Sequence, residues 1–198
     1  WEGNPIIRHI GRDPKLFWYE SGKHWSIAVY DEDQSGRGIA FYRSNDLKSW
    51  ERTGKLGGFF ECPEIFHAPV VGAGDKKRWV MFGGDGQYVV GDFDSNVIQP
   101  EHQGKHRFIY GTVYAGQCFS NAPGGRVIYI GWARGLELPG MPFSQGFTLP
   151  IEFTLHETSE GVRMRGYPVK ELESLRSREL FTVQNKRLAT GETVDFET

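Results

Sequence analysis

The sequence has few cysteines, little net charge and no long apolar run, and each of these features excludes a class of protein. Its 198 residues contain two cysteines and no CxxC pair, so neither a zinc knuckle nor a redox-active dithiol is expected. A formal net charge of −2 provides no strong field toward nucleic acid or an anionic membrane surface. No run of 18 apolar residues occurs, which excludes a transmembrane helix. We therefore expect no nucleic-acid partner and no membrane partner.

Two further features are missing from the chain. There is no Asn-x-Ser/Thr glycosylation acceptor and no signal peptide. The first residues, WEGNPIIRH, resemble the interior of a domain, so we expect the start of the natural protein to be missing and draw no conclusion on localisation from the absent signal. Cys62 and Cys118 lie 56 residues apart, and either two buried free thiols or a single bridge is compatible with that spacing; free thiols are the favoured interpretation.

Aromatic residues and glycine are plentiful instead. The chain has 6 Trp, 8 Tyr, 14 Phe and 26 Gly, together with many short apolar runs. Strand-forming residues concentrate in those runs, and Gly, Asp, Asn and Ser fall in the breaks between them. This pattern is typical of an all-β protein.

A repeat of about fifty residues organises these runs. The segments RDPKLFW and ECPEIFH place Pro14 and Pro63 49 residues apart, and Phe17 and Phe66 at the same separation. The Trp-bearing segments KHWSIAVYD and KRWVMFGGD follow, and a fainter third copy, YAGQCFS, aligns Phe119 with Phe66. Repeats of this length with three or four short strands indicate the blades of a β-propeller. Asp46, in SNDLKSW, is expected to cap the turn before the fourth strand of the first copy.

The repeats divide the chain into four segments. We predict blades at 1–57, 58–104 and 105–168, followed by a linker and the start of a truncated β-sandwich at 169–198. In this last segment VKELESLRSREL is interpreted as either a short amphipathic helix bearing Leu172, Leu175 and Leu180 or an irregular linker. Three blades do not close a propeller, so further blades are expected elsewhere, and the exposed edges invite association.

Acidic residues stand near the first strand of two copies. Asp13 and Glu61 occupy almost the same position in successive copies, close before a proline, so both are expected to face the central channel. Two carboxylates at one pocket suit glycoside hydrolysis, although single acidic residues near strand ends are also common turn and cap residues. Apolar neighbours are expected to raise the pKa of Glu61, and Arg12 is expected to keep Asp13 ionised.

Motifs in a fixed order then indicate a family. RDPKLFWYE, ECPEIF, GGDGQYVVGDFD, YAGQCFSN, GW and FTLPIEFTL together resemble glycoside hydrolase family 32, the invertases, inulinases, levanases and other fructan hydrolases. The resemblance implies a five-bladed propeller followed by a β-sandwich, retaining chemistry and no cofactor. It also implies that Glu61 is the acid/base, that Asp13 is the transition-state stabiliser and that Arg12 binds substrate.

The chain departs from that family in one essential respect. The family's nucleophile is the Asp of an Asn-Asp-Pro type motif in the first blade, and none of the 198 residues forms such a motif. The segment at 149–153, LPIEF, also lacks the Arg of the family's TLPREL. The chain is therefore interpreted as the last three blades, inactive by itself, of a fructan- or sucrose-hydrolysing enzyme that is secreted or periplasmic. Two alternatives remain: a sister arabinofuranosidase or xylosidase, and a non-catalytic sugar-binding propeller.

Other residues are candidates for lining the pocket. Tyr114, Gln117 and Trp132 fall at or near inner strands of the third copy, and Cys62 follows Glu61 and is expected to shape its surroundings. Each of the aromatic residues could equally be core. No metal site is expected, because the only closely spaced histidines lie in the loop-like HQGKH, and GGDGQ is interpreted as a blade turn, not a phosphate loop.

Overall fold

The first repeat forms one antiparallel sheet in the computed structural model, which describes residues 2–179 and 182–195. Its four strands are consecutive and adjacent: β1 (Gly11–Tyr19), β2 (His24–Asp33), β3 (Gly36–Ser44) and β4 (Glu51–Gly57). The turn before β4 is capped as predicted, since the Asp46 carboxylate accepts hydrogen bonds from the backbone N–H groups of Lys48 and Ser49 at 2.8 and 2.7 Å. This sheet is the first blade.

The second repeat forms a second antiparallel sheet. It contains β5 (Glu64–Val71), β6 (Lys77–Phe82) and β7 (Gln87–Phe93), and two short strands, β8 (Ile98–Pro100) and β9 (His106–Arg107), which both pair with β7. The segment GGDGQ lies in the turn between β6 and β7, where the Gly86 N–H donates to the Gly83 carbonyl at 3.0 Å. The interpretation of GGDGQ as a blade turn is therefore confirmed.

The third repeat forms a sheet with the order β10-β11-β13-β14. Its strands are β10 (Val113–Cys118), β11 (Val127–Ala133), β13 (Ile151–Thr158) and β14 (Gly161–Pro168), while the two-residue β12 (Gly146–Phe147) pairs with the end of β11. A single 3₁₀ turn, Pro123–Gly125, precedes β11. β13 also meets β5 in parallel over two residue pairs, which joins the second and third sheets at one point. The prediction of an all-β chain built from four-stranded blades is confirmed.

The core lies between the sheets, and β6 contributes to both of its layers. Trp79 and Met81 pack with the first blade, whereas Val80 and Phe82 pack with the third. A strand covered on both faces has no polar side to present, which explains why WVMF is a continuous apolar run. Phe93 of β7 contacts four rings of the first and second blades, at centroid distances of 4.9 to 5.7 Å: Phe17, Tyr19, Phe41 and Trp79.

The segment after the third blade is not an amphipathic α-helix. It contains a short 3₁₀ helix, Lys170–Leu175, with no buried residue; Leu172 is partly buried and Leu175 is exposed. The linker at 169–198 stays a prediction, and Leu180 lies outside the described residues. Residues 182–195 contain no strand, so the β-sandwich stays a prediction. Among the described residues, no helix has the length and apolar character to cross a membrane.

Phe93→Ala is expected to destabilise the protein by about 3–5 kcal/mol, because it removes a buried ring from the layer that joins two blades. The free energy of unfolding would be measured by urea denaturation. Tyr167→Ala is the matched control, since Tyr167 is 75% exposed and its removal should change stability by no more than about 0.5 kcal/mol. A loss below 1 kcal/mol for Phe93→Ala would contradict the described packing of the two sheets.

Candidate active site

The same backbone irregularity occurs in β1, in the segment just before β5 and in β10. Asp13, Cys62 and Ala115 occupy equivalent positions and have φ values of 61°, 48° and 49°, in the left-handed region that residues other than glycine seldom adopt. In β1 the pairing register breaks between Arg12 and Lys15, and β10 has the corresponding break after Tyr114. A bulge of this kind re-aims the neighbouring side chains, and such strained positions cluster at functional sites.

The bulges decide which residues correspond between blades. Arg12, Glu61 and Tyr114 each stand one residue before a left-handed residue, so Arg12 and not Asp13 is the counterpart of Glu61. Asp13 corresponds instead to Cys62. The sequence comparison therefore placed the two carboxylates in neighbouring blades correctly. It took Asp13 as the counterpart of Glu61, however, which is one residue away from the true counterpart, Arg12.

Glu61 receives hydrogen bonds from both neighbouring blades. Arg12 donates from Nε and Nη2 to Glu61 Oε2 at 2.7 and 2.5 Å, and the Tyr114 hydroxyl donates to Oε1 at 2.5 Å. The Glu61 side chain is 18% exposed and that of Arg12 is 51% exposed, so the group lies at an opening to solvent. Three successive blades thus meet at one carboxylate.

The pKa of Glu61 is lowered, contrary to the expectation from its apolar neighbours. Burial by itself raises this pKa, but the hydrogen bonds from Tyr114 and Arg12, together with the positive charge of Arg12, outweigh it. The sequence showed the apolar residues around Glu61 but not the two donors that reach it from other blades. In this arrangement Glu61 is a carboxylate that holds its proton less readily than an isolated glutamate.

Asp13 lies beside Glu61 and is held mainly by the second blade. Its Oδ2 accepts a hydrogen bond from the Cys62 backbone N–H at 3.0 Å and a weaker one from Cys62 Sγ at 3.5 Å. Arg12 Nε stands 3.9 Å from the same oxygen, within ion-pair distance, while its hydrogen bonds go to Glu61. The two short contacts of Arg12 therefore go to Glu61, and the expectation that Arg12 keeps Asp13 ionised stays a prediction.

Both cysteines are free, as the favoured interpretation had it, but both are partly exposed and not fully buried. Burial, the charge of Asp13 and the hydrogen bond to it raise the pKa of Cys62 to about 12. Burial raises the pKa of Cys118 as well. Because the thiolate is the nucleophilic form, this raised pKa disfavours a nucleophilic role for Cys62. Its contribution to the site is shape and the backbone N–H that binds Asp13.

Cations stacked on aromatic rings keep the site in place. The Arg12 guanidinium lies over the rings of Tyr30 and Phe60, at 4.7 and 5.5 Å from their centroids, and Arg134 lies over the Tyr114 ring at 4.5 Å. The sequence interpretation missed Tyr30 and Arg134. Arg134 follows the candidate Trp132 by two residues, and side chains two residues apart in a strand lie on the same face. This spacing could have indicated Arg134 from the sequence.

Trp132 and Gln117 lie at the edge of the site. Trp132 pairs across the sheet with Tyr114, and its side chain is 41% exposed and donates a hydrogen bond from Nε1 to Gln145 Oε1. Gln117 is exposed and donates to the Cys62 carbonyl at 3.3 Å. The structure therefore brings Asp13, Glu61, Cys62 and Tyr114 together with Arg12, and places Trp132 one strand further out.

No group of three or more metal-ligating side chains occurs in residues 2–179 and 182–195. The rings of His102 and His106 lie 4.0 Å apart, away from the site, and His102 Nε2 accepts a hydrogen bond from the Val90 backbone N–H. What the site offers is a carboxylate that can exchange a proton, a second carboxylate beside it, a guanidinium and an exposed indole. These groups suit proton transfer at a polar substrate with apolar ring faces.

A propeller whose inner strands present two carboxylates at one opening defines a class of carbohydrate-active enzymes. The N-terminal domain of glycosyl hydrolases family 32 matches residues 2–166, so the chain belongs to that family. The resemblance drawn from the RDP and ECP motifs is thereby confirmed.

Relatives and solved structures agree with this assignment. The levanase of Bacillus subtilis is 35% identical over 206 aligned residues, covering 89% of this chain and 30% of the levanase. The extracellular exo-inulinase of Meyerozyma guilliermondii is 33% identical, covering 78% of this chain and 34% of its own length. The fructofuranosidase of Schwanniomyces occidentalis complexed with fructose superposes with a TM-score of 0.72 at 28% identity, covering 85% of this chain and 38% of that structure. The chain thus spans about a third of the length of these relatives.

Tyr114→Phe is expected to raise the pKa of Glu61, because the substitution removes a hydrogen bond that stabilises the carboxylate form and leaves the ring in place. The pKa would be measured from the chemical shift of the Glu61 side-chain carbon by NMR across a pH titration. Tyr110→Phe, an exposed tyrosine that bonds only the Arg107 carbonyl, is the control and should leave the titration unchanged. A fall or no change in the pKa of Glu61 in Tyr114→Phe would contradict the described contact.

Proposed function

We propose that the complete protein hydrolyses β-fructofuranosyl bonds of fructans or sucrose with retention of configuration. The observation that carries this proposal is the convergence of Arg12 and Tyr114 on Glu61, next to Asp13, at an opening formed by the first strands of three blades. The substrate class follows from the relatives, which are named levanase, exo-inulinase and invertase.

Glu61 acts first as the general acid and then as the general base. In the first step its proton passes to the leaving glycosidic oxygen while an aspartate outside these 198 residues attacks the anomeric carbon and forms a covalent glycosyl-enzyme. In the second step the Glu61 carboxylate takes a proton from water, whose oxygen displaces the aspartate. Asp13 stabilises the transition state by binding sugar hydroxyls.

The lowered pKa of Glu61 needs an opposing influence before Glu61 can serve as an acid. Asp13 does not raise the pKa of Glu61 enough, but a third carboxylate facing Glu61 would raise it, since like charges resist being ionised together. We infer that the nucleophilic aspartate supplies this charge in the complete protein. Tyr114 and Arg12 then stabilise the carboxylate that is left after protonation of the leaving group.

Substrate contacts are assigned to four further residues. Arg12 has donors for sugar hydroxyls and is half exposed, Tyr114 lines the wall beside Glu61, and Cys62 sets the shape of the floor. Trp132 presents an exposed aromatic face one strand further out, suited to stacking on a sugar ring.

The organisation of the protein is proposed in the same way. We infer three blades at 1–57, 58–104 and 105–168 and a linker at 169–198 that leads to a β-sandwich. The exposed apolar residues Leu16 and Trp18 of β1 and Phe119, just after β10, would be covered by additional blades or by association through the open edges. Secretion or export to the periplasm is proposed from relatives such as the extracellular exo-inulinase.

Glu61→Gln in the full-length protein is expected to lower kcat for levan, inulin or sucrose at least roughly hundredfold, because the amide cannot give a proton to the leaving oxygen. Fructosides with a good leaving group, which needs little protonation, should retain far more of their kcat/KM, whereas the second step, which also uses Glu61, should stay slow for both substrate types. The release of fructose would be measured for both substrate types.

Glu51→Gln is the matched control, since Glu51 forms an exposed ion pair with Arg43 on the first blade and should leave the rates unchanged. The 198-residue chain alone should release no fructose. If the full-length wild type cleaves arabinofuranosides or xylosides but no fructoside, or cleaves no glycoside at all, the proposed function is wrong.

Trp132→Ala in the full-length protein is expected to raise KM roughly threefold to tenfold with a smaller effect on kcat, because stacking of this size contributes equally to ground-state and transition-state binding. Initial rates over a range of substrate concentrations would separate the two constants. Tyr167→Ala, which removes an exposed ring from an outer strand, should change neither. An unchanged KM in Trp132→Ala would remove Trp132 from the binding site.

A further inference from the structure

A second glutamate lies beneath the site and is almost completely buried. Glu64 is 1% exposed, and both of its carboxylate oxygens lie 2.9 Å from Lys15 Nζ. Oε2 also accepts a hydrogen bond from the Cys118 backbone N–H at 2.7 Å, and Oε1 accepts one from the Ile65 N–H at 3.0 Å. The proposed reaction makes no direct use of this group.

The contacts of Glu64 repeat the pattern of those of Glu61. Lys15 follows Arg12 by three residues, Glu64 follows Glu61 by three, and Cys118 follows Tyr114 by four. In both cases a glutamate of the second blade accepts hydrogen bonds from the first and the third blade. The same set of contacts therefore occurs twice, once around Glu61 at the opening and once around the buried Glu64.

The contacts around Glu64 are more rigid than those around Glu61. A carboxylate removed from water is strongly destabilising unless it keeps its cation and its hydrogen-bond donors, so the partners of Glu64 have little freedom to move away. At the opening, by contrast, Arg12 is half exposed and can exchange its contacts with solvent. The bond from Cys118 is also short and involves a charged acceptor, as strong hydrogen bonds do.

We propose that Glu64 is a positioning residue for the reaction: by binding Lys15 and the Cys118 N–H it fixes β1 and β10 against β5, so that Arg12 and Tyr114 reach Glu61. This inference rests on the proposed function. Glu64 touches no substrate. Its effect passes through the bulged segment between Tyr114 and Cys118 and through the equivalent bulge after Arg12. Displacements of about 1 Å at such groups lower rates by up to roughly a hundredfold.

Glu64→Gln in the full-length protein tests the proposal. The amide keeps the shape of the side chain but turns an N–H₂ group toward either Lys15 or a backbone donor. We expect kcat/KM on the fructoside cleaved by the wild type to fall roughly tenfold or more. The basic limb of the kcat/KM profile should move to higher pH, because weaker contacts from Tyr114 and Arg12 no longer favour the charged form of Glu61.

Glu101→Gln is the matched control. Glu101 also links two blades, since it accepts hydrogen bonds from Arg78 of the second blade at 2.8 Å and from the Val162 N–H of the third at 3.4 Å. It lies away from the opening. Glu101→Gln should lower Tm without shifting the pH profile. If the role of Glu64 were purely structural, Glu64→Gln would likewise lower Tm and leave the pH profile unshifted.

A double variant, Lys15→Met with Glu64→Met, keeps the test valid if Glu64→Gln fails to fold, because it leaves no unpaired buried charge. It should fold and show the same loss of kcat/KM and the same shift of the basic limb. A folded variant of either kind with wild-type kcat/KM and an unshifted profile overturns the proposal. A wild type without activity on any fructoside overturns the proposed function and this inference together, whereas activity that is insensitive to both variants overturns the inference alone.

Discussion

The hydrogen bonds that Arg12 and Tyr114 donate to Glu61 depend on one constraint, the close packing of the second blade between the first and the third. β6 is buried on both faces, and its alternate side chains belong to two different cores. Because packed cores resist sliding, the inner strands of the three blades keep a fixed register relative to one another. Glu61 can therefore be reached from both sides at 2.5 to 2.7 Å without a disulfide between the blades.

The sequence predicted the strands well because their spacing and composition are local properties. The 49-residue separation located Asp13 and Glu61 on successive inner strands, and the motifs identified the family. The repeat could not reveal which residue of each strand faces which neighbour, because a bulge shifts side chains from one face to the other. For this reason the pairing of Arg12 with Glu61 and the burial of Glu64 with Lys15 emerged only from the structure.

The electrostatics of Glu61 show why a residue's apolar neighbours are a poor guide to its pKa. Phe59 and Phe60 are close in sequence and suggest desolvation, yet the charge of Arg12 and the hydroxyl of Tyr114 act over shorter distances and in the opposite direction. Each stabilises the carboxylate, which suits the state of Glu61 after it has given up a proton. The protonated state needs a separate source of stabilisation, and a neighbouring carboxylate is the simplest one available to this chemistry.

The fold fixes some residues of the site firmly and holds others only loosely. Asp13, Glu61, Tyr114 and their partners stand on strands held by two cores, so their geometry follows from the fold and not from the substrate. The long connection between β11 and β13 is less firmly held: β12 pairs with the end of β11, Arg134 lies over the Tyr114 ring and Gln145 accepts a hydrogen bond from Trp132, but Met141 and Phe143 are exposed. Loops on a rigid scaffold tolerate change, whereas a shift of the inner strands would disturb the chemistry itself. The connection that carries Met141 and Phe143 can therefore vary without moving Asp13 or Glu61.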